Sequence, residues 1–255
     1  MNVLVLGSAG SEGPGLNPPA FLIDGFLLLD AGTVALSLDR EAQSRVTDIF
    51  LTHAHMDHIK GIPFLVDNLV SMERSCQVTI HSGREVISDL RKNIFNNRIW
   101  PDFTAIPDEK NPVMRYHEIS TRQTVEVGNY RIQASRVNHS VPAYGYLVED
   151  PANGSLVYTG DTGPTEAIWK RMRSHNVKAL IIEVSFPDEM VDLARTSGHL
   201  TPSLLALEIG KMQNTPAKIY ISHLKPYYRP MIEAQLEKIH GVSMEVLSDG
   251  KSFTI

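Results

Sequence analysis

One cysteine in 255 residues, Cys76, leaves no partner for an intrachain disulfide and no second thiolate for a sulfur-bound metal cluster. Its setting in "SMERSCQVTI" suits a small buried side chain entering a strand. Long apolar runs are lacking too: no window reaches the roughly 18 apolar residues of a membrane span. The opening "MNVLVLGSAG" has no basic n-region and its apolar run is short, which suits a first β-strand better than a signal peptide. A cytoplasmic protein without membrane contact is expected. Positive charge is also in deficit, with 24 Lys and Arg against 29 Asp and Glu and a net charge of −5. Such a chain offers no broad basic field to a long polyanion, so extended nucleic acid is not an expected partner. Repeats, low-complexity tracts, charge blocks and linker-like segments are absent as well, and one domain over residues 1–255 is expected.

What is present is the ordinary balance of a globular protein, 42% hydrophobic and 21% charged, long enough to bury a core without covalent staples. Short apolar runs predict strands at 3–6, 20–23, 26–29 and 48–51, with the "DG" turn at Asp24-Gly25 making a hairpin of the middle two. Helical spacing follows in "HIKGIPFLVDNLVSM" and in "SGREVISDLRKNIFNN", the second after a strand at "QVTIH". The second half repeats the alternation, with strands at "YRIQASRV", "YGYLVED", "SLVYTGD", "KALIIEVSF" and "AKIYISH". Helices are expected at "TEAIWKRMRS", after the Thr201-Pro202 cap and at "YRPMIEAQLEKIHG", and two strands end the chain. Interleaved strands and helices give an α/β (α+β) chain with two sheets and helices packed outside them.

Ten histidines are present, and three of them fall within six positions of "THAHMDH". An apolar strand ends at Thr52 and delivers His53, His55, Asp57 and His58 into a turn and helix start. In extended backbone His53 and His55 share a face, while Asp57 and His58 leave from the turn. Imidazole and carboxylate without sulfur suit a catalytic zinc, manganese or iron site better than a structural one. Further ligand types stand at strand ends: His139 in "VNHSVP", Asp161 in "YTGDTGP" and His223 in "ISHLKP". Each alone has an ordinary role as a loop histidine or turn aspartate; their joint occurrence points to a metal site. His81, His117, His175 and His240 have no companion ligands nearby in sequence and are expected to be structural or on the surface.

The order HxHxDH, His, Asp, His resembles the metallo-β-lactamase superfamily over essentially the whole chain. The resemblance implies a four-layer αββα sandwich holding two divalent metal ions, zinc first, with manganese and iron as alternatives. It implies that His53, His55 and His139 bind one ion, that Asp57, His58 and His223 bind the other, and that Asp161 bridges them. Asp57 is counted among the catalytic residues as well. "GSAGSEGPG" followed by "LLLDAGT" is similar to the family's first loop and strand end, which would make Asp30 the orienting partner of a ligand histidine. A paired metal site activates water and clamps the oxygens of a phosphate or carbonyl, which makes a hydrolase.

Glu183 lies in an otherwise apolar run and needs a partner if buried; His199, just before a capped helix, is the candidate. The two stretches resemble motifs shared by tRNA 3′-end nucleases and cyclic-nucleotide phosphodiesterases, where such a pair would protonate the leaving oxygen. "LRKNIFNNRIWPDFT", "TGDTGPTEAIW", "IIEVSFPDE" and "SGHLTPSLLALEI" are similar to class II 3′,5′-cyclic-nucleotide phosphodiesterases, with Met56 where that family usually has Leu. The implied substrate is cyclic AMP, with cyclic GMP as the alternative, and the product is the 5′-monophosphate. Asn93, Asn96 and Trp100 are the candidate base-binding residues, offering amide groups and an aromatic face. A small-molecule substrate also fits the short stretch between Gly145 and Asp161, which has no room for a basic arm. A homodimer stays open. The competing readings are a tRNA 3′-processing endonuclease, another ester hydrolase, and a non-enzymatic iron-based redox sensor on the same fold.

Overall fold

The computed structural model describes residues 1–72 and 76–255. Its elements in chain order are β1 Asn2–Gly7, β2 Ala20–Ile23, β3 Leu27–Leu29, α1 Arg40–Arg45, β4 Asp48–Phe50, α2 Met56–Ile59, α3 Gly61–Val70, β5 Val78–Ser82 and α4 Arg84–Asn93. They continue with β6 Met114–Glu118, β7 Thr124–Val127, β8 Tyr130–Arg136, β9 Tyr144–Asp150, β10 Gly154–Tyr158, α5 Ala167–Met172 and β11 Val177–Glu183. The last are α6 Val191–Ser197, α7 Pro202–Lys211, β12 Lys218–Ser222, α8 Arg229–Leu236, β13 Met244–Val246 and β14 Ser252–Thr254.

The strands form two seven-stranded mixed sheets, ordered β14-β1-β2-β3-β4-β5-β6 and β13-β12-β11-β10-β9-β8-β7. The β2–β3 hairpin closes as the "DG" signal predicts: Asp24 and Gly25 have φ of 46° and 79°, the left-handed pair of a tight primed turn. Along β10, β11 and β12 the side chains alternate between two cores. Tyr158, Ile181 and Tyr220 join Val3, Phe21, Leu29 and Phe50 between the sheets, while Val157, Leu180, Ile182, Ile219 and Ile221 pack outward. Phe21 meets Tyr158 edge-on, and Phe50 meets Tyr146 likewise, across the interface. The outward face of the second sheet is covered by Trp169, Leu204, Leu205 and Ile232 from α5, α7 and α8, and α3 and α4 cover the first with Ile62, Leu65, Val86 and Leu90. The result is the expected four-layer αββα sandwich.

The N-terminus of α7 follows its sequence signal, with the Thr201 side chain accepting from the Leu204 N–H and Pro202 in the first turn. Four elements, β6, β7, α1 and α6, have no counterpart in the sequence reading. In α1 only Gln43 is buried and in α6 only Ala194, so neither shows an apolar stripe; β6 and β7 are short sheet edges of five and four residues in which buried and more exposed side chains mix. Cys76 is half-buried, two residues before β5. Among the described residues no helix is long and apolar enough to cross a membrane.

What matters for function is direction. β3, β4 and β5 run parallel in one sheet, and β10, β11 and β12 run parallel in the other. Asp30 follows β3, His53 follows β4, Asp161 follows β10, Glu183 ends β11 and His223 follows β12, so five polar residues leave the carboxyl ends of five strands. That is where open α/β sheets place their sites.

Candidate metal centre

Three overlapping groups of ligand atoms form there, each with its atoms within 4.8 Å of one another. Two are separate constellations, His53, His55, His139 and Asp161 in one and Asp57, His58 and His223 in the other, and the third, Asp161, His199 and His223, draws on both and adds His199. Asp161 Oδ2 lies 3.8 Å from His53 Nε2, 3.4 Å from His58 Nε2 and 3.3 Å from His223 Nε2, so one buried oxygen faces both groups. His55 Nδ1 is 3.2 Å from His139 Nε2, and Asp57 Oδ2 is 3.3 Å from His223 Nε2.

The fit to a metal can be tested on satisfaction. Nε2 of His53 and Nε2 of His58 are buried and have no hydrogen-bond partner. Two orphaned nitrogens beside a buried carboxylate are costly unless a cation fills the space between them. Burial above all lowers the pKa of His53, His55 and His139, which keeps the rings neutral with lone pairs to donate. Burial would lift the Asp161 carboxyl, but His223, His58 and His53 outweigh it and hold the group well below its usual range. For His58 burial opposes charge, yet Asp161 and Asp30 raise its pKa well above the usual value; a proton or a metal ion satisfies the same demand. Seven imidazole and carboxylate donors without sulfur therefore fit divalent ions such as zinc, manganese or iron.

The rings of His53, His58 and His139 are aimed by what their other nitrogen meets. His58 Nδ1–H donates to Asp30 Oδ2 at 2.7 Å. Thr52 donates to the same carboxylate through both N–H and O–H, and its hydroxyl accepts from His53 Nδ1–H at 2.9 Å. Tyr158 reaches across from the second sheet to add a 2.7 Å bond to Asp30. His139 Nδ1–H donates to the carbonyl of Gly198 at 2.8 Å. Gly198 is left-handed at φ 71°, and a Cβ there would lie 2.7 Å from the His139 Cα, so no other residue allows this approach. Asp30 and His223 are also left-handed, at φ 55° and 63°, a strain of about 1–2 kcal/mol each for a side-chain-bearing residue.

Glu183 and His199 meet, as the buried-charge argument requires: His199 Nδ1–H donates to Oε1 at 2.6 Å. Glu183 is 1% exposed and also accepts from the N–H of Thr162 and the hydroxyl of Ser185. Burial would lower the His199 pKa, but the Glu183 charge and hydrogen bond raise it to about 9. Its ring lies 5.0 Å from that of His139 and 5.6 Å from that of His223, so the pair borders both constellations.

The base-binding candidates lie differently. Asn96 spends its amide on a turn, donating to the Lys92 carbonyl and accepting from the N–H groups of Arg98 and Ile99. Asn93 is exposed at the end of α4. Trp100 packs edge-on against Phe64 and its indole N–H is buried without a partner. Phe64 in turn lines an apolar pocket of about 360 Å³ with Val34, Leu36 and Lys60, the last of these two residues after His58 in sequence. His81 and His117, expected to be structural or on the surface, are neighbours on β5 and β6: His81 bridges Asp48 at 2.8 Å and His117 at 3.0 Å. Parallel pairing of those strands set them side by side, which no local spacing reveals. Thr52, Tyr158, Ser185 and the Gly198 carbonyl were missed altogether, though Thr52 and Ser185 stand inside the two most informative motifs.

The Beta-lactamase superfamily domain matches residues 21–223. The chain is 26% identical over 271 residues to the probable 3′,5′-cyclic-nucleotide phosphodiesterase of Yersinia pestis, covering 94% of this chain and 76% of that protein. A ribonuclease Z of Methanosarcina mazei is also 26% identical, over 288 residues that cover 89% of this chain and 88% of the relative. Unliganded yeast PDE1 shares the fold with a TM-score of 0.84 over 98% of each chain at 17% identity.

Proposed function

The chain belongs to the beta-lactamase superfamily, and from that premise we propose that it is a metal-dependent phosphodiesterase that opens 3′,5′-cyclic AMP, and cyclic GMP secondarily, to the 5′-monophosphate. The observation that carries the phosphodiesterase class is the buried Glu183–His199 pair bordering two clusters of metal-ligand atoms. A carbonyl hydrolase has less need of it, whereas a departing sugar oxygen needs a proton.

Zinc, or manganese or iron, held by His53, His55, His139 and Asp161 and by Asp57, His58, His223 and Asp161 would activate water and neutralise phosphate charge. Around that chemistry the protein positions and protonates. His199, its Nδ1 fixed by Glu183, presents Nε2–H to the leaving 3′ oxygen, and its raised pKa keeps that proton in place through neutral pH. Asp57, with a side chain 31% exposed, is the most open carboxylate of the centre and orients the attacking water by accepting its hydrogen bond. Asp30 holds His58 directly and His53 through Thr52. The apolar pocket at Val34, Leu36 and Phe64, with Trp100 behind it, is the candidate seat for the purine, and Asn93 is retained as a weaker candidate.

A second reading, tRNA 3′ processing, is supported by the ribonuclease Z relative. The tight hairpin from β9 to β10 and the net charge of −5 favour the small substrate. The two are separated by incubating metal-replete protein with cyclic AMP, cyclic GMP and a precursor tRNA in parallel and resolving the products. Release of the 5′-monophosphate, lost on chelation, supports the first reading; inert cyclic nucleotides beside a trimmed tRNA overturn it. The protein is expected in the cytoplasm, where that substrate is made.

A further inference from the structure

Ser185 lies two residues beyond Glu183 and is fully buried. Its hydroxyl has one proton to give and two lone pairs. The shortest contact is to Glu183 Oε2 at 2.7 Å, so the proton goes to the carboxylate. His223 Nδ1 is 2.9 Å from Ser185 Oγ, and with the hydroxyl proton already committed it must be the ring that donates. His199 Nδ1, 3.2 Å away, spends its N–H on Glu183 Oε1 at 2.6 Å. The His223 carbonyl, at 3.3 Å, is too distant to compete for the serine proton.

This order of donation fixes the ring's orientation. With Nδ1–H given to Ser185 Oγ, His223 faces Nε2 toward Asp57 Oδ2 and Asp161 Oδ2, each 3.3 Å away, where it would meet a metal ion. The backbone does not supply that orientation cheaply, because His223 is left-handed at φ 63° and is tied by its N–H to the Ser8 carbonyl. We propose that Ser185 is a positioning residue that joins the leaving-group histidine to the second metal position, letting one carboxylate, Glu183, orient both His199 and His223. The proposal rests on the metal-centre reading above and assigns within it a residue that neither binds metal nor touches substrate.

The test uses the zinc-loaded full chain as wild type, Ser185→Ala, Ser185→Thr and His199→Ala, titrated with a chelator while zinc per chain is measured. The ¹⁵N resonances of the histidine rings are recorded in parallel. Ser185→Ala removes one oxygen and leaves Glu183 its bonds from Thr162 and His199, so the fold is retained. It is expected to surrender one of two ions at about 10–100-fold lower chelator than wild type, the usual effect of losing such a partner. One histidine should also lose its fixed Nδ1–H signature. Ser185→Thr restores both readouts, and His199→Ala keeps both ions. Wild-type retention and unchanged ¹⁵N shifts in Ser185→Ala overturn the role, as does an ion loss that threonine fails to rescue, which would assign the effect to packing. A wild-type chain that takes up no zinc, manganese or iron instead overturns the metal centre itself, and the role of Ser185 with it.

Discussion

Asp30 and Glu183 stand at the carboxyl ends of β3 and β11, in different sheets, and each takes four donors from its surroundings. For Asp30 they are the N–H and O–H of Thr52, His58 and Tyr158; for Glu183 they are His199, Ser185 and the N–H groups of Thr162 and Leu200. Each also recruits a hydroxyl residue to reach a second histidine, Thr52 for His53 and Ser185 for His223. The difference lies in what they serve. The clients of Asp30 are fully buried and belong one to each ligand cluster. Those of Glu183 are His223 and His199, whose side chain retains 11% exposure and a pKa raised to about 9, burial notwithstanding, by the Glu183 charge. The same local device therefore serves assembly of the centre in one sheet and, on the proposed reading, proton delivery in the other.

The comparison breaks most visibly at the residue both regions share. Asp161→Ala is expected to release both ions and lower cyclic AMP turnover by roughly 10⁴-fold or more, because charge clamping and water activation fail together. Elemental analysis beside initial rates checks it. His199→Ala should instead lower kcat by about 10²–10⁴-fold while metal content stays at the wild-type level. An ion lost in that variant would make His199 a ligand, as its place beside Asp161 and His223 geometrically allows.

Stability should divide the two carboxylates the other way. Asp30→Asn turns one of the two acceptor oxygens into an NH2 donor facing the buried donors of Thr52, His58 and Tyr158, and is expected to cost about 3–5 kcal/mol in chemical denaturation of the metal-free protein. Glu183→Gln should cost about 1–3 kcal/mol. Equal losses would erase the distinction between an assembling and a protonating carboxylate.

A pH profile sharpens it further. With its pKa raised above the ordinary 6.5, His199 is protonated and paired at neutral pH, so activity should hold there and fall as pH rises through about 9. The stability contributed by the pair follows the same sign, complete below about 6.5 and lost through about 9. In Glu183→Gln the alkaline limb should move to lower pH; an unmoved limb would assign it to another group. The smallest effect belongs to Asn96→Ala, expected to cost about 1 kcal/mol through its turn. KM for cyclic AMP should be unchanged, and a large rise would return Asn96 to the substrate pocket.

Much of the centre was legible because its chemistry is concentrated at strand ends. An apolar run that stops at a histidine or aspartate announces both the strand and the direction its end faces, which is why His53, Asp161 and His223 could be singled out without coordinates. Glu183 was legible for the opposite reason: a charge inside an apolar run demands a partner, and His199 answers it. Ser185 and Thr52 gave no such signal, since small hydroxyl residues at strand ends are ordinary. Asn96 read as a polar group awaiting a ligand because side-chain amides look alike in sequence whether they hold a turn or a substrate.

Residue type and short-range periodicity by themselves determined the strands other than β6 and β7, the Thr201 cap, the Asp24-Gly25 hairpin and the set of candidate ligand residues. The tertiary structure alone decided that β13 and β14 go to different sheets, that His81 meets His117, and that one oxygen of Asp161 faces histidines of both clusters within 3.8 Å. The physical reason is range. Periodicity fixes where a side chain points relative to its own strand, whereas distances between strand ends, and the tautomer each ring must take, follow from how two sheets pack across a shared core.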